Sequence, residues 1–207
     1  IGQSIKKTLN CFTIESIETL LIHNVKNFTK MKPEISLKTL INLKNEGKVK
    51  KIGVSIYDAQ EFEIVCEFFI PDVVQLPINI LDQRVIKNGL LEKIKEKDCE
   101  VHARSIFLQG LLLSDYSKIP KKLSALKQPL LLIDEICERN SLKRLKLFLE
   151  FIFSIKEIDA VVFGVESKNN LVEIYNEITN FKQSNNKIKY DIFSINNSKI
   201  LDARNWS

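Results

Sequence analysis

The sequence predicts an α/β fold, in which parallel strands alternate with helices and form part of a (β/α)8 barrel. Short runs of apolar and β-branched residues alternate with amphipathic stretches along most of the 207 residues. The apolar runs are nearly continuous, as in parallel strands that are covered on both faces. Polar or small residues recur where these runs end. The length fits a single domain over residues 1–207.

Local patterns predict each element in turn. In residues 35–47, Leu37, Leu40 and Ile41 have helical spacing and Gly47 provides a stop, so a helix followed by a strand over 48–55 is expected. An earlier strand is expected in the apolar run IETLLIHN, residues 17–24. The later elements are predicted as helix 59–70, strand 71–77, helix 89–97, strand 99–105, a mostly helical stretch 123–156, strand 159–165 and helix 169–181.

The residues at the predicted strand ends favour a barrel over an open, doubly wound sheet. A barrel gathers its active site from the carboxyl ends of many strands around one mouth. No GxGxxG or GxxxxGK[ST] motif is present, which removes the main support for the phosphate-loop folds. The polar or small residues at strand ends are His23, Asn24, Ser55, Gln75, Arg104, Ser105, Gly164 and Ser167.

Composition excludes several function classes. The net charge of +5 comes from lysines mixed with glutamates, which predicts solvated helix faces and no nucleic-acid surface. No run is long and apolar enough for a membrane span, and no secretory signal is apparent, so a cytoplasmic location is expected. The cysteines form no CxxC pair, which predicts buried, reduced thiols and no metal site. They are Cys11, Cys66, Cys99 and Cys137.

Five ordered segments together resemble the aldo/keto reductases, barrel enzymes that use a nicotinamide cofactor. The segments are IETLLIHN, LKNEGKVKKIGVS, PDVVQLPINILDQR, ARSIFLQGLLL and GVESKNNLVE. The resemblance implies reduction of a small-molecule carbonyl to an alcohol by hydride transfer. In this family a tyrosine donates the proton, with support from a lysine and an aspartate, and a histidine orients the substrate oxygen. His23 occupies the histidine position, where an imidazole N–H can polarise the carbonyl.

The resemblance also implies residues for the nicotinamide and pyrophosphate. Ser55 and Gln75 match residues that hold the carboxamide, although Ile56 replaces the usual neighbouring asparagine. Arg104 stands where many members have a tyrosine stacked on the nicotinamide ring; its flat guanidinium can stack as well, or bind an acidic substrate group. The loop that wraps the pyrophosphate and ribose is matched by Ser105, Phe107, Leu108 and Gly110.

At the adenosine end, Ser167 is expected to cap a helix whose N-terminal N–H groups face a phosphate. Asn170 and Glu173 match residues that contact the adenosine, whereas Ile174 replaces a common asparagine. The family implies NADP. Glu166, however, lies where a basic residue often pairs with the 2′-phosphate, so NAD remains an alternative, and Lys168 is the candidate for the missing positive charge.

The resemblance covers only about five of eight β/α units, numbers four to eight, and residues 1–10 resemble the end of the third helix. The chain is therefore expected to be N-terminally incomplete and inactive by itself, because no tyrosine matches the proton donor. Three hypotheses follow: the C-terminal portion of a carbonyl reductase, a non-catalytic remnant or nucleotide-binding subunit whose missing strands come from a partner chain, and an unrelated phosphate-binding barrel enzyme.

Overall fold

The computed structural model describes residues 1–30, 32–182 and 187–206. Its five strands are β1 (Ile17–Ile22), β2 (Val49–Ser55), β3 (Val73–Pro77), β4 (Glu100–Arg104) and β5 (Ala160–Val162). The helices are α1 (Gly2–Phe12), α2 (Val25–Lys30), α3 (Pro33–Asn45), α4 (Ala59–Cys66), α5 (Arg84–Lys87), α6 (Leu90–Lys95), α7 (Lys127–Arg139), α8 (Arg144–Phe153), α9 (Lys168–Thr179) and α10 (Ser198–Leu201). Short 3₁₀ turns fill much of the segment between β4 and α7.

The strand order supports the barrel prediction. The five strands form one sheet in the order β1-β2-β3-β4-β5, which is also their order along the chain. A doubly wound sheet would reverse its strand order near its first strand. No reversal occurs among the described strands, so the open-sheet alternative is wrong.

Three predicted elements differ from the observed ones by more than two residues at an end. Helix α4 ends at Cys66, four residues before the predicted end; Pro71 disfavours helical conformation in Ile70, and nothing in the structure explains the earlier stop. Strand β5 has three residues instead of seven, and it lies at the end of the strand order, where only β4 is its neighbour. The helical stretch 123–156 is divided into α7 and α8, with Ser141 at φ 52° between them.

Residues 1–76 and 89–102 form one compact unit, called unit 1 here. Its core forms where α1 and α3 pack against β2. The buried side chains of this cluster are Ile5, Leu9, Leu40, Leu43, Val49 and Ile52. Their helical and strand spacing explains why the amphipathic faces of α1 and α3 cover the sheet.

Gly53 allows β1, β2 and β3 to approach one another closely. It is paired with Leu21 of β1 and Val73 of β3. A Cβ atom at this position would lie 2.5 Å from the Val73 carbonyl oxygen and 2.6 Å from a Leu21 methyl carbon. No larger residue fits without movement of a strand, so glycine is required for close packing here.

Asp72 ties the start of β3 to its neighbours in unit 1. Its side chain accepts hydrogen bonds from the Ile52 N–H at 2.7 Å and from Lys44 Nζ at 2.6 Å. Its backbone donates to the Ile52 carbonyl at 2.8 Å and accepts from the Glu100 N–H at 2.9 Å. One residue thus links α3, β2 and β4 and fixes the alignment of the strands.

Residues 77–88 and 103–207 form the second compact unit, unit 2. Its core includes apolar side chains of the segment after β4 and of α7 and α8, such as Leu112, Ile133 and Phe148, which are at most 1% exposed. Two polar side chains, Asn79 and Asp82, are also buried, each 1% exposed.

The prediction that the cysteines are buried is wrong for half of them. Cys99 and Cys137 are buried, Cys66 is half-buried and Cys11 is exposed, because Cys11 lies near the C-terminal end of α1 and faces away from its apolar side. All four are free thiols. Among the described residues no helix has the length and apolarity needed to cross a membrane.

Candidate functional site

Three of the predicted site residues in unit 1 lie in one row across neighbouring strands. Ile22, the last residue of β1, is paired with Val54 in β2, so His23 follows the strand beside Ser55. Ser55 is paired in turn with Gln75 of β3. Paired residues of a parallel sheet point to the same face, and neighbouring strands are about 4.8 Å apart. Sequence reasoning therefore identified residues that the fold places side by side.

The three side chains differ in exposure. Ser55 is 3% exposed, whereas Gln75 is half-buried and His23 is exposed. Gln75 was predicted at a strand end, and this is wrong: it is the third of five residues in β3, because Leu76 and Pro77 continue the strand. The row is thus a buried hydroxyl next to an accessible amide and an accessible imidazole.

Asn24, next to His23, has a structural role. Its Oδ1 accepts a hydrogen bond from the Asn27 N–H at 2.9 Å, and its carbonyl accepts from the Phe28 N–H at 3.0 Å. These bonds satisfy N–H groups in the first turn of α2. Two polar residues thus follow the apolar run of β1. The resemblance assigns His23 to substrate orientation, and Asn24 caps a helix.

Ile56, which replaces the family's usual asparagine, is fully buried. Its N–H donates to the Gln75 carbonyl at 2.9 Å and so extends the β2–β3 pairing by one bond. A buried isoleucine cannot provide an amide contact. Of the three residues that the resemblance compares with the carboxamide contacts, Ser55 and Gln75 therefore have polar side chains and Ile56 does not.

In unit 2, the segment after β4 has an unusual backbone. Ser105, Leu108 and Gln109 have φ values of 57°, 48° and 55°, and Gly110 has 81°. This left-handed region favours glycine and strains other residues. We call residues 105–114 the β4 loop. The Phe107 and Leu108 side chains are buried, so these side chains are not available for contact with a ligand.

Asn79 supports the start of the β4 loop, and sequence reasoning missed it. Its Nδ2 donates to the Ser105 carbonyl at 3.3 Å, while its Oδ1 accepts from the N–H groups of Leu81 and Asp82 at 3.0 and 2.9 Å. The available signal was an amide in the otherwise apolar stretch that follows β3. Arg104, the last residue of β4, lies beside this point and is half-buried.

The prediction that Ser167 caps the last predicted helix is confirmed. Its hydroxyl accepts from the Asn170 N–H at 3.1 Å, and its Oγ also contacts Asn170 Oδ1 at 2.8 Å. Helix α9 has no acidic residue in its first turn. Glu166, Lys168 and Glu173 are exposed on either side of this helix start. Ile174 is 4% exposed, and it anchors α9 to the core.

A second feature that sequence reasoning missed is a contact between α7, α8 and the β4 loop. Arg144 Nε lies 2.5 Å from Asp134 Oδ1, and its Nη2 lies 2.6 Å from Oδ2. Its Nη1 donates to the carbonyls of Leu112 and Ser114 at 3.2 and 3.0 Å. The Tyr116 hydroxyl donates to Asp134, and the guanidinium lies 5.3 Å from the Tyr116 ring centroid.

The pKa values of this group reflect the ion pair. The hydrogen bonds from Arg144 lower the pKa of Asp134, and the bonds to Asp134 raise the pKa of Arg144. Burial, followed by the bond to Asp134, raises the pKa of Tyr116. The contacts join residues 10 to 32 positions apart, so no local sequence pattern could reveal them.

No cluster of three or more histidine, cysteine or acidic residues that could hold a metal occurs among the described residues. Each unit, taken by itself, contains residues that the family resemblance assigns to the cofactor. Unit 1 holds Ser55 and Gln75. Unit 2 holds the β4 loop and the capped start of α9, where N–H groups of the first helical turn favour an anion.

The chain belongs to the aldo/keto reductase family, which matches residues 1–190. An unrelated barrel enzyme is thereby excluded. No curated protein matches the chain.

Solved structures of the family share the fold. A Bacillus halodurans aldo-keto reductase in its holo form has a TM-score of 0.72 at 16% identity, covering 88% of this chain and 62% of its own. The Brucella melitensis aldo/keto reductase has a TM-score of 0.62 at 19% sequence identity, and the match covers 92% of this chain and 65% of the reductase. The Gluconobacter oxydans glycerol dehydrogenase has a TM-score of 0.60 at 16% sequence identity, and the match covers 91% of this chain and 65% of the dehydrogenase. The chain thus forms part of the (β/α)8 barrel and spans less than two thirds of these neighbours.

Proposed function

We propose that this chain provides the substrate-orienting histidine and the nucleotide-binding residues of an NADP-dependent carbonyl reductase. Membership of the aldo/keto reductase family supports the class of reaction. The observation that supports the residue assignment is the row formed by His23, Ser55 and Gln75, because three residues that the family resemblance assigns to one site lie at neighbouring positions on or just after separate strands. The substrate class is a small molecule with an aldehyde, ketone or sugar-like carbonyl.

In the proposed reaction, three side chains of unit 1 contact the nicotinamide or the substrate. A bound nicotinamide coenzyme supplies the hydride. Ser55 and Gln75 hold its carboxamide and so fix which face of the ring is presented. An imidazole N–H of His23 donates to the substrate carbonyl oxygen, where negative charge grows as the carbon is reduced. The exposure of His23 is compatible with direct contact to a substrate.

The remaining contacts lie in unit 2. The backbone of Ser105, Phe107, Leu108 and Gly110 binds the pyrophosphate and ribose, and Arg104 lies against the nicotinamide ring. The start of α9 binds the adenosine phosphate, with Ser167, Asn170 and Glu173 at the adenosine. Glu166 weakens the preference for NADP over NAD, because its carboxylate repels a 2′-phosphate.

The proton donor, its lysine and its aspartate are proposed to come from outside these 207 residues. Two tyrosines have hydroxyls that suit proton donation poorly: that of Tyr116 donates to Asp134, and burial followed by the Glu150 carboxylate raises the pKa of Tyr190 to about 12. Tyr57 and Tyr175 have no match to the donor's sequence context. Loss of a positioned donor costs about 10²–10⁴ in rate.

The runner-up function is a nucleotide-binding subunit without catalysis. The environments of the Tyr116 and Tyr190 hydroxyls favour this function, because neither hydroxyl is suited to proton donation. Two measurements distinguish the candidates. Fluorescence titration should detect NADPH binding by the 207-residue chain under both. Reduction of a generic aldehyde is expected only when the three further tetrad residues are supplied, and His23→Ala should then abolish turnover while leaving NADPH binding intact. Absence of NADPH binding overturns both candidates, and turnover by the 207-residue chain that His23→Ala removes overturns the assignment of the donor to other residues.

A further inference from the structure

We infer that Arg144 is a positioning residue for the cofactor: paired with Asp134, it holds the β4 loop in the conformation that binds the pyrophosphate. The inference rests on the proposed function. Arg144 lies on α8, and in sequence it is 34 residues after Gly110, the last loop residue assigned to the cofactor. It acts through the backbone of the loop and makes no cofactor contact of its own.

The first argument is the number and direction of its bonds. Arginine presents a planar fork of donors. In Arg144, Nε and Nη2 bind the two oxygens of Asp134, which fixes the plane of the guanidinium. Nη1 is then directed at the carbonyls of Leu112 and Ser114. A lysine could not make both sets of bonds, because its ammonium is a single donor centre.

The second argument is the backbone that these bonds restrain. Three non-glycine residues of the loop, Ser105, Leu108 and Gln109, have left-handed backbone conformations. Such residues persist where the surroundings determine the conformation. Asn79 binds the loop at its beginning, at Ser105, and Arg144 binds it near its end. Leu112, one of the two residues whose carbonyls Arg144 binds, is fully buried, and its N–H donates to the Phe107 carbonyl at 3.2 Å.

The third argument is the support behind Arg144. Tyr116 places its ring against the guanidinium and its hydroxyl on Asp134, so α7, α8 and the turn after the loop share one polar cluster. The Arg144 side chain is 17% exposed and that of Asp134 is 31% exposed. Low exposure limits competition from water, so this pair is more rigid than a surface pair.

The test compares Arg144→Met with Arg139→Met in the 207-residue chain. Arg139 forms an ion pair with Glu135 on α7, but its side chain is 68% exposed and the pair lies within one helix. Binding of NADPH is measured by fluorescence. Binding of adenosine 2′,5′-bisphosphate, which lacks the pyrophosphate bridge and the nicotinamide, is measured by calorimetry.

We expect Arg144→Met to raise the Kd for NADPH at least tenfold and that for the bisphosphate less than threefold, while Arg139→Met changes neither. Hydrogen exchange at Leu111, Leu112 and Leu113 should accelerate in Arg144→Met alone. If Arg144→Met does not fold, Tyr116→Phe replaces it, with a smaller expected change of about threefold for NADPH.

Unchanged NADPH affinity and unchanged exchange overturn the inference but leave the proposed function intact. An equal loss for both ligands also overturns it, because that result indicates general destabilisation. If the wild-type chain binds neither ligand, the proposed function fails, and the role of Arg144 in cofactor binding fails with it.

Discussion

Ser55 and Gln75 face each other in register across β2 and β3, with the hydroxyl buried and the amide half-buried. If both hold one carboxamide, Ser55→Ala should raise the Kd for NADPH about fivefold, the equivalent of about 1 kcal/mol for a lost hydrogen bond. Gln75→Leu should have an effect of similar size. Fluorescence titration of both single variants and the double variant provides the measurement.

The double variant separates shared binding from independent effects. Side chains that hold the same group are coupled, so the two losses should not add. Ser154→Ala is the control, since Ser154 directly follows α8 and its hydroxyl donates to the Phe151 carbonyl in the last turn of that helix. Strictly additive losses, or an equal loss in Ser154→Ala, would contradict a common carboxamide site.

Glu166→Lys should shift the cofactor preference towards NADPH. Replacing a carboxylate by an ammonium near the 2′-phosphate should strengthen NADPH binding by about 1–2 kcal/mol, roughly tenfold, and leave NADH nearly unchanged. Titrations with both coenzymes measure this. Glu177→Lys, near the other end of α9, makes the same change of charge as a control. A wild-type chain that already strongly prefers NADPH would count against the role given to Glu166.

Gly53→Ala should destabilise the fold without any change in charge. The added methyl carbon would meet the Val73 carbonyl at 2.5 Å, and relief requires displacement of β3. A loss of about 2 kcal/mol in the free energy of unfolding is expected from urea denaturation. Gly164→Ala is matched, because nothing lies within 4 Å of its added carbon. Equal stability of the two variants would show that the strands of unit 1 pack less closely than described.

Asp134→Asn should change how stability depends on pH. The pKa of Asp134 is lowered in the folded chain by the hydrogen bonds from Arg144, so the pair stabilises the fold at pH values above the unfolded carboxyl pKa of about 4. That contribution is lost as the pH falls through the lower folded pKa. At pH 7 the free energy of unfolding of the variant should be about 1–2 kcal/mol lower than that of the wild type, a value between those typical of exposed and of buried ion pairs.

Urea denaturation at pH 7, 5 and 3 tests the direction of this pH dependence. The wild type and Asp134→Asn should differ most at pH 7 and 5 and converge at low pH. Glu135→Gln, whose ion pair with Arg139 is exposed, should lie within about 0.5 kcal/mol of the wild type throughout. A difference that grows as the pH falls would refute the assignment.

The thiols should react in the order of their exposure. Cys11 is exposed, whereas burial raises the pKa values of Cys99 and Cys137 to about 11. Because the thiolate is the reactive form, iodoacetamide at pH 8 should label Cys11 first, and label Cys99 and Cys137 only in urea. Mass spectrometry of tryptic peptides gives the order. Rapid labelling of Cys137 in the folded chain would indicate opening of α7.

The class of fold and the local elements can be predicted from the order of residues along the chain. Periodicity predicts which segments form helices and strands, and Ser167 is recognisable as a helix cap because capping depends on hydrogen bonds over three positions. The ends of the strands at His23 and Ser55 can also be predicted from the sequence, because the apolar run of each strand stops there. Its ordered segments pointed to the aldo/keto reductases, and the family match agrees.

Which distant residues contact one another becomes visible in the folded chain alone. Gln75 could be placed in the middle of β3 only through its pairing with Ser55, and the extent of β5 depends on its having one strand neighbour. The bonds of Asn79 to Ser105 and of Arg144 to Asp134 and Leu112 join residues that no local pattern relates. Their positions are set by packing of strands and helices against one another, whereas periodicity reports only which side of an element is apolar.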